Sequence, residues 1–261
     1  MKTAIKLVAL GLITFIVLVI IKAPASLITK PLSANAPVQC ERVSGSIWNG
    51  RIAQLTVNGI AIGSVKWKIN GWRLFLGELQ ITISLGENML APNLSGTIPL
   101  TVSPSGTIEI EHAQLQTKAE WISTQAALPV MPTGMVDVNI SQLKLNATTK
   151  QLPKIKAKAS WTEAGISYPN PFSLGAYHVD LQHQPETEPK VIIGTITDSD
   201  SSLHVNGTVQ IDNQWQYQTD ITLQAEPDAP ADIRGLLPYI GLQHDDGTVH
   251  IKRQGLLQNL Q

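Results

Sequence analysis

Across residues 43–85 apolar side chains return at every second position, and this period of two constrains the chain more than any other feature. Leu55 and Val57, Ile60 and Ile62, then Val65, Trp67 and Ile69 form short runs. After a break at Asn70 and Gly71, Leu79, Ile81, Ile83 and Leu85 alternate with Gln80, Thr82 and Ser84. Successive side chains of a strand point to opposite faces, so each run lays one face on a core and leaves the other in water. Asn58 with Gly59 and Gly63 with Ser64 tolerate turn backbone, and the sequence predicts a turn at each pair.

The alternation continues towards the C-terminus. Val136, Val138 and Ile140 change phase to Leu143 and Leu145, which predicts a bulge near Ser141. Ile155, Ala157, Ala159 and Trp161 alternate with Lys154, Lys156 and Lys158, whose ammonium groups belong in water. Residues 191–196, 203–211 and 215–223 read as further strands, the last two joined at Asp212 and Asn213 and the last including Trp215. Four times a glycine precedes threonine and a β-branched residue, at Gly96, Gly106, Gly207 and Gly247. Each is expected to supply turn or bulge geometry and to open a strand, a device that builds meanders. Ile233, Leu236, Leu237 and Ile240 have helical spacing, with Asp232 the expected N-cap and Gly235 and Pro238 limiting the helix to a turn or two.

Ahead of the strands, residues 7–21 are fifteen apolar positions broken only by Gly11 and Thr14 and bounded by Lys6 and Lys22. Such a helix rises about 22 Å against a hydrocarbon core of about 30 Å, and flanking residues with snorkelling lysines extend it. Two readings fit: a membrane anchor over 1–25 with a short cytoplasmic N-terminus, or a secretory signal ending in Ala23, Pro24, Ala25. Either sends the remainder out of the cytoplasm. Pro24, Pro31 and Pro37 among small polar residues predict a linker over 26–39. A β domain over 40–261 follows.

Charged residues are 15% of the chain and the net charge is -1, so no field draws it to nucleic acid. Cys40 is the only cysteine and closes no intrachain disulfide. Histidines offer no ligand pair: His178 and His183 fall on opposite faces of one strand, and His204, His244 and His250 lie in separate elements. Asp198 and Asp200 begin like a calcium loop, but Leu203 and Val209 occupy the glycine and bidentate positions. No nucleophile elbow, HExxH helix or phosphate loop occurs. The reading is of a non-enzyme with neither catalytic residues, metal nor cofactor. Core filling is the first reading for every tryptophan, with Trp48, Trp67, Trp161 and Trp215 in strand-like patterns; Trp72, after a turn, could instead meet a membrane or a partner.

Gly45, Ser46, Ile47, Trp48, Asn49 and Gly50, then Gly63 to Trp67, then Leu76, Gly77, Glu78 and Leu79, form a string that resembles the N protein of the bacterial type II secretion system. The likeness runs on through Gly241, Asp246, Gly247 and Gly255. It implies a single-pass inner-membrane protein with a periplasmic β domain, contacting other secretion subunits and supporting export of folded proteins across the outer membrane. The pattern residues are Gly45, Trp48, Gly50, Trp67, Gly77, Trp161, Gly175, Gly241 and Gly247. Trp161, Gly175 and Tyr177 echo Trp67, Gly77 and Leu79, which suggests two submodules, 40–150 and 151–261. More distantly, meanders behind an anchor are similar to AsmA-type envelope proteins. That likeness implies an alternative, periplasmic lipid binding or transfer.

Overall fold

The computed structural model describes residues 37–87, 93–126, 131–149, 151–168, 171–184, 190–227 and 229–257, with 11, 12, 15, 18, 19, 21–27 and 29 of the N-terminal segment. The chain divides into two compact units, Met1–Pro92 and Asn93–Gln261. Both are antiparallel β structure, as the period of two requires.

In the first unit β1 (Val38–Gly45), β2 (Asn49–Val57), β3 (Ile60–Ile69) and β4 (Leu79–Leu85) pair in chain order. Asn58 and Gly59, both at positive φ (51° and 83°), make the tight β2–β3 turn that suits the twist of a hairpin. The second expected turn does not form. β3 runs through Gly63 and Ser64, with Gly63 at φ 95° opposite Leu55 where the register shifts, so the glycine makes a bulge. Cross-strand pairs Ile52 with Val65, Val65 with Leu85 and Trp67 with Ile83 build the apolar side. A short 3-10 turn, Arg73–Leu76, joins β3 to β4 and is closed by Gly77 at φ 79°.

The second unit contains β5 (Leu94–Val102), β6 (Thr107–Lys118), α1 (Ala119–Ala126), β7 (Met131–Asn146), β8 (Lys154–Tyr168), β9 (Phe172–Gln184), β10 (Val191–Ser199), β11 (Leu203–Asp212) and β12 (Gln216–Ala225). It ends with α2 (Ala231–Ile240), β13 (Leu242–Gln243) and β14 (Val249–Leu256). Strands neighbour one another in chain order up to β12, which then pairs with β14, leaving β13 outermost. Neither unit closes into a barrel among the described residues. Residue 151 lies in the connection of the β7–β8 hairpin.

Ser141 is the bulge expected of β7: pairing with β8 shifts between Ile140 and Gln142. Of the four glycine–threonine devices, Gly106 and Gly247 sit in turns and open β6 and β14. Gly96 and Gly207 instead lie inside β5 and β11, where a Cβ would meet the neighbouring strand's backbone at 2.1 and 2.4 Å. Close strand approach, not reversal, is what those two serve. Trp215 is not in a strand; it holds φ 62° in the β11–β12 turn, organised by the Asp212 carboxylate, which accepts from the Gln214 and Gln216 amides at 2.9 Å. α2 is longer than Gly235 and Pro238 suggested, and its N-cap is Pro230 where Asp232 was expected. Ile233 and Leu237, both buried, hold it on the sheet and offset the hydrogen bond that Pro238 removes.

Apolar rows run across the second unit: Val136, Trp161 and Tyr177; Val138, Ala159 and Val179; Ile140, Ala157 and Leu181. α2 covers one end of this face, where Ile233 packs with Ala164 and Leu174 and Leu237 packs with Leu223 and Val249. Lys154, Lys156 and Lys158 face water on a strand paired on both sides, so they protect no edge.

In the N-terminal segment Gly11, Leu12, Phe15, Leu18, Val19, Ile21 and Lys22 are helical and exposed. Among the described residues no helix is long and apolar enough to cross a membrane. The rest of the expected anchor over 1–25, and residues 30–36 of the linker, lie outside the described residues. Ser26, Leu27 and Thr29, within the expected linker, are helical.

Candidate functional site

Four of the pattern residues meet at one corner of the first unit. Gly45 takes φ 89° at the end of β1, and a Cβ there would stand 2.4 Å from the Asn49 carbonyl oxygen. Only glycine fits such a reversal without strain. Ser46 and Asn49 close the bend reciprocally, the Ser46 amide donating to the Asn49 carbonyl at 3.0 Å and the Asn49 amide to Ser46 Oγ at 3.2 Å. Gly50 pairs with Trp67, whose Cζ2 would lie 2.2 Å from a Cβ on Gly50, and Trp67 Nε1 donates to the Ile47 carbonyl at 2.9 Å. Trp48 rests against Gly71, and its carbonyl accepts from the Ile69 amide at 2.7 Å.

The corner also grips the segment that follows the N-terminal helix. The Ala25 amide donates to the Gly45 carbonyl at 3.0 Å and the Ile47 amide to the Ala23 carbonyl at 2.9 Å, with Pro24 bridging to Ser46. Sequence reading gave these residues a family pattern and core tryptophans; that they clamp the chain's N-terminal segment was not legible, because the clamp is made of backbone groups.

Beside this corner lies an apolar concavity of about 770 Å³, lined by Ile21, Ser46, Trp48, Ile69, Gly71, Leu74 and Phe75. The 3-10 turn beside it is exposed to an unusual degree for its chemistry: Trp72 is 71% exposed, Phe75 82% and Leu76 65%. Trp72 and Phe75 pack on each other with ring centroids 5.5 Å apart, so they form one patch. Arg73, between them, is paired with Glu78 at 2.9 Å. Gly77 ends the turn, its amide donating to the Leu74 carbonyl at 3.0 Å.

In the second unit, Trp161 repeats one element of the corner. Trp67 donates to the carbonyl three residues before its cross-strand partner Gly50, and Trp161 donates at 2.8 Å to Thr133, three residues before its partner Val136. Trp161 also packs on Tyr177 at 5.7 Å. Gly175 has φ 105° and meets the Asp200 carbonyl, where a Cβ would be 2.3 Å away. Gly241 lies against Val249, and Gly247 turns the last hairpin at φ 82° with open space around it.

A polar cluster missed by sequence reading lies near Gly175. Asp198 at the end of β10 accepts from Ser201 Oγ, from the Val205 amide at 2.8 Å and from His204 Nδ1 at 2.8 Å, while His204 Nε2 reaches Glu226 at 2.5 Å. Hydrogen bonds to Asp198 and then Glu226 raise the His204 imidazole above its ordinary range. Burial pushes Asp198 up, but the bonds from Ser201, His204 and the Val205 amide outweigh it and hold the carboxyl low. Burial, with the Asp198 charge second, lifts Tyr177 to about 12. Ser, His and Asp are thus neighbours, yet Ser201 gives its hydrogen to the carboxylate and not to the imidazole, so the histidine is not placed to activate it. The cluster ties the β10–β11 turn to the residue after β12. Its signal was present in the sequence, since Asp198 and His204 flank a Ser-rich turn symmetrically about Ser201.

His244 and His250, expected in separate elements, are brought edge to face at 4.8 Å by the last hairpin. Among the described residues no three histidine, cysteine or carboxylate side chains group as metal ligands. Cys40 is a free, half-buried thiol.

A family model described as type II secretion system (T2SS), protein N, matches residues 36–252. The chain is 23% identical over 261 residues to the type II secretion system protein N of Aeromonas hydrophila, covering 98% of this chain and 99% of that one. It is 22% identical over 241 residues to the type II secretion system protein N of Vibrio cholerae serotype O1, covering 92% and 93% respectively. No solved structure matches the chain.

Proposed function

This chain belongs to the type II secretion system protein N family, and on that premise we propose that it is a non-catalytic inner-membrane component of the secretion machinery. Its N-terminal helix anchors it in the bilayer, and the β units stand in the periplasm and act through contacts with other secretion subunits. The observation that carries this reading is the family match across residues 36–252. The exposed apolar helix at Leu12, Phe15, Leu18, Val19 and Ile21 supports the anchor, because a helical surface of that kind in water is costly. The chemistry of the Asp198 cluster supports a structural role over a catalytic one.

Gentle solubilisation of native membranes, crosslinking and affinity purification of the full chain test the proposal. Other type II secretion subunits are expected among the crosslinked partners. Recovery of the chain wholly from the aqueous fraction after lysis, or from membranes without any secretion subunit, would count against it.

A second reading, lipid handling in the envelope, is favoured by the continuous apolar rows of the second unit. Lipid extracted from gently purified protein in stoichiometric amount would support it, and its absence would leave the first reading alone.

A further inference from the structure

The exposed aromatic turn and the exposed apolar helix lie within one unit, and together they point to a surface that neither explains alone. Ile21, near the end of the described helical residues, and Leu74 and Phe75, in the 3-10 turn, line the same concavity. The segment between the helix and the sheet is fixed there: Ala23 and Ala25 are hydrogen-bonded to Ile47 and Gly45. Whatever solvent surrounds Ile21 therefore also surrounds Phe75.

We propose that the Trp72–Phe75–Leu76 turn is a second membrane contact, seated in the headgroup and acyl boundary of the bilayer that takes the N-terminal helix. This rests on the anchor reading above. The occupant is a lipid surface for three reasons. At about 100° per residue, the exposed positions Leu12, Phe15, Leu18, Val19 and Ile21 sweep roughly half the helix circumference, too wide for a single protein groove. The concavity joins Ile21 to Leu74 and Phe75 of the turn, and within the turn Arg73 is paired with Glu78. Trp and Phe at the rim of an apolar surface are the residue types that settle at a bilayer interface, the indole keeping its N–H towards water. Burying the turn there would hold the sheet corner of the first unit at a fixed height and angle to the membrane.

The test uses the full chain with Cys40→Ser, which removes its only thiol, and one new cysteine at a time: Phe75→Cys, Leu12→Cys, or Gln39→Cys as a control on β1. Each is labelled with an environment-sensitive fluorophore and reconstituted into vesicles of phosphatidylethanolamine and phosphatidylglycerol containing spin-labelled lipid. The label at 75 is expected to shift to the blue and to be quenched several-fold more strongly than the label at 39. Strong quenching at 12 with none at 75 beyond the control overturns the proposal and leaves the anchor reading standing. No quenching at either overturns both, and quenching at 75 alone removes the anchor and with it the proposal of a second contact. A second readout leaves Phe75 in place: brominated lipid should quench the intrinsic fluorescence of the unmodified chain more than that of Trp72→Tyr, and equal quenching contradicts the proposal.

Discussion

Gly50 and Trp67 are cross-strand partners, and the indole occupies the place a side chain on Gly50 would need, with Cζ2, Cη2 and Cε2 at 2.2, 2.6 and 2.7 Å from the position of a Cβ. The glycine thus makes room for the ring, and the ring in turn donates to the carbonyl of Ile47, the residue whose amide holds the N-terminal segment at Ala23.

Gly50→Ala is therefore expected to destabilise the first unit by about 1–3 kcal/mol, the usual penalty for overfilling a packed site. Trp67→Phe lacks the clashing atoms, so the alanine should cost measurably less in that background. Chemical denaturation of the four proteins of the cycle reads this coupling, and simple additivity would show that the two residues do not share the space.

Gly175 and Gly247 separate two causes of glycine dependence. Both have positive φ, but a Cβ at 175 meets the Asp200 carbonyl and the Ser201 backbone at 2.3 and 2.6 Å, whereas a Cβ at 247 meets nothing within 4 Å. Gly247→Ala is expected to cost about 1 kcal/mol from backbone strain alone, and Gly175→Ala clearly more. Equal losses in denaturation midpoint would argue that the contact at 175 relaxes freely.

Much of the sheet was legible because alternation is local. The phase change after Ile140 announced the Ser141 bulge, and Asn58 with Gly59 announced its turn. What failed was the meaning of individual glycines: Gly63 makes a bulge inside β3, and Gly96 and Gly207 lie within strands because they answer to a neighbouring strand's backbone, which sequence spacing does not display. Trp215 kept its strand-like spacing while the Asp212 carboxylate captured the backbone around it as a turn. The candidate site was legible as a list of glycines and tryptophans but not as a clamp. Its partners, the carbonyls of Ile47 and Ala23, carry no side-chain signature.

The Asp198–His204–Glu226 cluster predicts a pH dependence. His204 is raised in the folded state, so its contribution is fully present below about pH 6.5 and is lost as pH rises through the folded value. Asp198 is depressed, so its contribution is present above about pH 3.9 and is lost as pH falls through the folded value. Melting temperature should be highest between these limits and decline on the alkaline side by on the order of 2 °C, a small effect because the imidazole is largely solvated. His204→Gln should flatten that alkaline decline, while the acid decline persists through the Ser201 and Val205 bonds to Asp198. Calorimetry across the range checks both, and an unchanged alkaline slope in the variant would remove His204 as its cause.

Membership of the secretion machinery meets its most direct test in export itself. Removing the chain from its native bacterium should cause enzymes that normally reach the medium to accumulate folded in the periplasm, and restoring the intact chain should release them. Export at the parental rate in its absence would contradict the account.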